Sequence, residues 1–231
     1  MVLSGSANSG SGCAISHQYK FMYIHVLKSG GMTVKAFLKN ALCGRTEKPC
    51  PMGDHVLEIV NCGINVAKHR DYFIWSFVRS PFSRLYSGYS MADSMRNHRA
   101  PYTFETFALA TNQKRLFMSS TSPHHYSPQI NFLFDSKNCP VVDFIGRLEH
   151  FDADMQIVLD KIQSPELQTY FDAKHGEAML ESNTAFGKRK KEKELGGSLS
   201  KVYSTPELIQ AVAKEFEQDF RLLGYDPTVV P

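Results

Sequence analysis

The stretch FMYIHVLKSGGMTVKAFL, residues 21–38, decides how the chain is read. Its first seven residues, Phe21 to Leu27, form a short apolar run rich in aromatic and β-branched side chains, which predicts a buried strand. Lys28, Ser29, Gly30, Gly31, Met32 and Thr33 follow. Beyond them Val34, Phe37, Leu38, Ala41 and Leu42 fall at helical spacing on one face. A strand, a Gly-containing turn and a helix together aim backbone N–H groups and the positive end of a helix dipole at an anion. Lys28 adds a full charge, and Ser29 and Thr33 add hydroxyls. The same six residues also suit a plain tight turn, so the remainder of the chain has to discriminate.

Working outward, a second element of the same kind lies at residues 72–89. Tyr72 to Val78 is apolar nearly throughout, as expected of a strand covered on both faces. It runs into RSPFSRLYSGY, residues 79–89, where Ser80 suits a helix N-cap and Pro81 the first helical position. Arg79 leaves the strand end, the place where open α/β sheets put their ligands. Arg84 and Ser87 lie three apart on the following helix. A nucleoside-triphosphate loop would read G-x-x-x-x-G-K-[ST] with its lysine after the glycines, whereas Lys28 precedes them. A phosphoryl transferase would also need Mg²⁺ ligands, and no clear pair of strand-end carboxylates is present.

The rest of the chain fits an α/β domain. Val56, Leu57, Ile59 and Val60 predict a short helix or buried turn, Val141–Ile145 a third strand, and Asp152–Gln163 a helix. The last helix has Thr205 as cap, Pro206 in its first turn, an apolar face from Leu208 to Leu223, and Gly224 as its stop. Residues 1–18 read as a Ser/Gly-rich flexible tail and 19–231 as one domain. The expected fold is a P-loop-like three-layer α/β domain with a central parallel sheet flanked by helices. A net charge of +3 favours anionic ligands but does not argue for nucleic acid. No apolar run is long enough to span a membrane. Five cysteines allow one or two disulfides in an oxidising lumen, Cys43–Cys50 being the nearest pair. A zinc site at Cys43, Cys50, His55 and Cys62 lacks the usual ligand spacing.

Taken together, residues 28–33 and 79–89 resemble the 5′-phosphosulfate loop and the 3′-phosphate motif, R-D-P-x-x-R-x-x-S-x-Y, of sulfotransferases. Ser80 stands where the motif has Asp. FIGRLEHF at 144–151, YSTPEL at 203–208 and the segment containing His125, Pro128 and Gln129 resemble Golgi carbohydrate O-sulfotransferases, closest to the heparan sulfate and uronyl 2-O type. The resemblance implies a sulfuryl transfer from PAPS (3′-phosphoadenosine 5′-phosphosulfate), without a metal, to a hydroxyl-bearing acceptor, most naturally a carbohydrate, leaving PAP (adenosine 3′,5′-bisphosphate). It implies that residues 28–33 hold the 5′ side of the donor and that Arg79 and Ser87 hold the 3′-phosphate. It also implies a Golgi lumen, with the cytoplasm as the alternative. His55, in the phrase GDHV between the two elements, is the expected general base, with His125 and His69 in reserve, and Lys28 the expected stabiliser of the leaving phosphate. Lys188 and Lys193, in the basic run 188–193, are candidate contacts to the nucleotide. A non-catalytic PAP- or glycan-binding module, or a small-molecule or tyrosine sulfotransferase, are the alternatives.

Overall fold

The computed structural model describes residues 13–44, 57–60, 69–95, 101–110, 114–115, 118, 125–174 and 199–231. They form two compact units. The first contains the sheet, and the second takes in 79–131 and the C-terminal segment.

The sheet has five strands, β1 (Cys13–Ser16), β2 (Phe21–Ile24), β3 (Glu58–Val60), β4 (Phe73–Val78) and β5 (Phe144–Arg147), in the order β3-β1-β2-β4-β5. It is mixed rather than parallel. β2, β4 and β5 run parallel to one another, but β1 is antiparallel to both β2 and β3. The antiparallel margin comes from two segments that the sequence had given other roles. β1 lies within the stretch read as a tail and is buried along its whole length, and β3 lies where a helix or turn was expected. Four-residue and three-residue strands are too short to show period-two alternation, so their pattern carries little signal.

The core follows from the periodicities. Phe21 and Tyr23 of β2 share one face with Trp75 and Phe77 of β4, as the register Phe21↔Phe73 and Tyr23↔Trp75 requires. Against this face packs α1 (Gly31–Cys43), through Val34, Phe37 and Leu38, the stripe expected from the sequence. The helices α5 (Phe151–Ile162) and α6 (Pro165–Lys174) add Met155, Val158, Leu159, Leu167 and Phe171. Met22, Ile24, Ile74, Ser76 and Val78 on the opposite face are buried as well, which explains the unbroken apolar runs.

The second unit holds α2 (Pro81–Met95), α3 (Phe104–Ala108), α7 (Pro206–Glu215) and α8 (Glu217–Leu223). A one-turn helix, α4 (Ile130–Leu133), crosses between the two units in sequence. The last helix predicted as continuous is broken at Phe216. Its ends are as expected: Thr205 accepts from Leu208 N–H, and Gly224 closes α8 in the left-handed region at φ 67°. Phe82, Tyr86, Phe104, Phe107, Tyr203 and Phe220 build an aromatic core.

One ion pair anchors this unit. Arg115, fully buried, meets Glu215 with Nη1···Oε1 2.5 Å and Nη2···Oε2 2.6 Å. It also donates to the carbonyls of Phe107 and Ala108. Removing one partner strands a buried charge, whereas removing both does not. Glu215→Ala should therefore lower stability by about 3 kcal/mol in denaturant unfolding. The double variant Arg115→Met/Glu215→Ala should be less destabilised than Glu215→Ala alone.

Candidate active site

Three parallel strands, β2, β4 and β5, end at one edge of the sheet. β2 leads into Lys28, β4 ends at Val78 immediately before Arg79, and β5 ends at Arg147 opposite Val78. The strand ends are tied together, since the Ser76 hydroxyl donates to the Ile24 carbonyl at 2.7 Å.

The turn after β2 has an unusual backbone. Lys28 takes φ 69° and Gly30 φ 80°, both in the left-handed region, which costs a non-glycine residue about 1 kcal/mol or more. Gly30 is the N-cap of α1 and places no side chain on the helix end. The N-cap itself therefore gives no side-chain hydrogen bond to the first turn of the helix, which begins next to a half-buried lysine. Gly30 is favoured by its φ and Gly31 by the space around it. A Cβ on Gly30 would lie 2.6 Å from Leu148 Cδ1, and one on Gly31 would overlap the buried His25 ring at Cδ2 and Nε2. Ser29 and Thr33, expected to offer hydroxyls, are buried beneath the turn, while Met32 is 63% exposed. The outward surface of the turn is made of backbone, Lys28 and Met32.

The element after β4 begins as expected. α2 starts at Pro81, and Arg84 N–H donates to the Ser80 carbonyl at 2.8 Å. Arg79 and Ser87 are half-buried, but Arg84 is only 2% exposed and does not share an open face with Ser87. Burial draws the Arg84 guanidinium down to about 10, still charged at neutral pH, with Asp219 opposing the shift. Burial likewise pushes the Asp219 carboxyl up, against the pull of Arg84 and the N–H groups of Gln129 and Ile130.

Gln129 and Asp219 are residues to which sequence reasoning gave no role. The Gln129 side chain accepts from Arg79 N–H (Oε1, 3.0 Å) and donates to the Arg79 carbonyl (Nε2, 2.8 Å). Asp219 on α8 accepts from the backbone N–H of Gln129 at 2.9 Å and of Ile130 at 3.0 Å. Arg147, at the end of β5, was likewise overlooked. Gln129 and Arg147 stood inside segments that resemble the family, and Asp219 lay within the last helix with no signal of its own.

His55, Lys188 and Lys193 lie outside the described residues. Of the reserve histidines, His69 is at the wrong end of the sheet. It stacks edge-on with Tyr72, which precedes β4, and so stands a strand's length from Lys28, roughly 17 Å for six residues. The His125 carbonyl lies close to Gly88, next to Ser87. Among the described residues no group of three or more His, Cys, Asp or Glu is placed to hold a metal ion.

The packing of His25 under Gly31 gives a direct test of the turn. Gly31→Ala should cost about 1–3 kcal/mol through overpacking, read as a lower melting temperature. His25→Ala in the same chain should recover most of the loss, because it removes the ring that the new methyl meets.

The model of the sulfotransferase family matches residues 11–226, spanning both units. No curated protein and no solved structure matches the chain. The match covers most of the chain, and the chain belongs to the sulfotransferase family.

Proposed function

We propose that this chain transfers a sulfuryl group from PAPS to a hydroxyl of a carbohydrate acceptor. The observation that carries the reading is the turn at 28–31, where Lys28 and the N-terminus of α1 meet at the C-terminal edge of the parallel strands. This is the P-loop-like cradle expected for the 5′-phosphosulfate. In the reaction the acceptor oxygen attacks sulfur as a base removes its proton. The bond from sulfur to the bridging phosphate oxygen breaks, and the electron pair stays on that oxygen of PAP. Lys28 and the helix N–H groups stabilise the charge that grows there. Arg79 and Ser87 hold the 3′-phosphate. His55 is the base, since its unperturbed pKa lies near neutral and it precedes the strand that delivers Arg79.

A sugar acceptor is supported by the likeness of 144–151 and 203–208 to the Golgi carbohydrate enzymes. Cys13 and Cys43 are disulfide-bonded and Cys139 is a free, exposed thiol. Cys50 and Cys62, the remaining two, lie outside the described residues. Disulfides in a chain of this kind favour an oxidising compartment such as the Golgi lumen over the cytoplasm. Among the described residues no helix is long and apolar enough to cross a membrane.

A transfer assay with labelled PAPS against polysaccharides, small phenols and tyrosine peptides tests the class. Incorporation into a polysaccharide is expected, and binding of PAP without transfer to any acceptor would identify a non-catalytic module. Lys28→Ala should lower kcat by about a hundredfold with a smaller rise in the KM for PAPS, because the charge it meets develops in the transition state. A change confined to KM would make Lys28 an ordinary binding residue. His55→Ala should lose on the order of 10²–10⁴-fold in kcat while keeping its affinity for PAP and its melting temperature.

A further inference from the structure

We propose that Gln129 is a positioning residue for the 3′-phosphate of the donor: its side-chain amide grips the Arg79 peptide on both sides and so fixes the direction in which the guanidinium projects. The inference rests on the reading of Arg79 as a 3′-phosphate ligand.

Arg79 stands between two regular elements. Val78 is the last residue of β4 paired to β5, and Ser80 supplies the first carbonyl of the helical ladder that follows. A residue at such a crossing has no repeating ladder to set its backbone, yet an arginine that recognises a phosphate needs its planar fork held in one orientation. Gln129 supplies the missing constraint. With Oε1 taking the Arg79 N–H at 3.0 Å and Nε2 giving to its carbonyl at 2.8 Å, the side-chain amide behaves as one residue of a neighbouring strand. Two bonds of opposite polarity also rule out a flipped amide, which would set donor against donor and acceptor against acceptor.

The clamp is itself anchored. Gln129 is fully buried, and its own N–H, with that of Ile130, is held by the two carboxylate oxygens of Asp219, also fully buried. The charge of Arg84 on α2 acts on the same carboxylate. The contacts thus run from Asp219 to Gln129 and from Gln129 to Arg79.

The test compares affinities for PAP and for adenosine 5′-monophosphate by calorimetry, so that a general loss of folded protein cancels in the ratio. In Gln129→Met, close to Gln in length and volume, the preference for PAP should fall by about tenfold with little change for the monophosphate. Arg79→Ala should abolish the preference, and Arg79→Ala/Gln129→Met should be no worse than Arg79→Ala alone, because Gln129 acts through Arg79. If Gln129→Met does not fold, Gln129→Asn, whose shortened amide cannot span both groups, should show the same fall in the ratio. An unchanged ratio in the Gln129 variant, beside a lost preference in Arg79→Ala, would reduce the clamp to a structural contact. An unchanged ratio in Arg79→Ala would overturn both the 3′-phosphate reading and the inference built on it. A double variant worse than Arg79→Ala would also overturn it, by showing that Gln129 reaches the nucleotide another way.

Discussion

The parallel pairing of β2 with β4, and of β4 with β5, is the constraint on which the site depends. Parallel neighbours deliver their C-terminal ends to the same edge, and each must return through a crossover before the next begins. The strand ends before Lys28, at Val78 and at Arg147 are therefore brought to one edge by pairing alone. The antiparallel strands β1 and β3 widen the sheet without adding to that edge. The buried Ser76 hydroxyl bonded to the Ile24 carbonyl fixes the register at the point where the first two exits diverge.

At that edge the fold accepts local strain in exchange for an exposed backbone. Left-handed φ values at Lys28 and Gly30, and the absence of a capping side chain, run against the preferences that stabilise an ordinary helix start. Burial of His25 below and Leu148 beside the turn holds the shape in place. Ser29 and Thr33 are buried. In the proposed reading an anion at the turn would meet the backbone dipoles and the lysine charge, two terms that act over the same few ångströms.

Legibility in the sequence followed the strength of the local signal. The apolar stripe Val34, Phe37, Leu38 and the caps at Thr205 and Gly224 were readable because period and capping residues agree. The two strand-to-helix turns were readable because a cation and small residues follow an apolar run. β1 and β3 were misplaced because strands of four and three residues are defined by pairing to distant partners, information that no window contains. The burial of Arg84 was not legible because spacing shows which residues share a side of a helix, not which side is covered. Gln129 and Asp219 were passed over for a related reason: they work on backbone groups 50 and 90 residues away in sequence.

Because Gln129 grips the peptide of residue 79 and not its side chain, the scaffold and the recognition group are separable. The amide bonds would form to any non-proline residue at that position. Over evolutionary time, such an arrangement lets position 79 sample different side chains from one unchanging anchor point, so preference for the far end of a nucleotide can drift while the fold stays put. The glycines of the turn at 28–31 have no such freedom, since there backbone shape and packing are the same thing. The chain thus carries one position open to retuning and one turn that is locked.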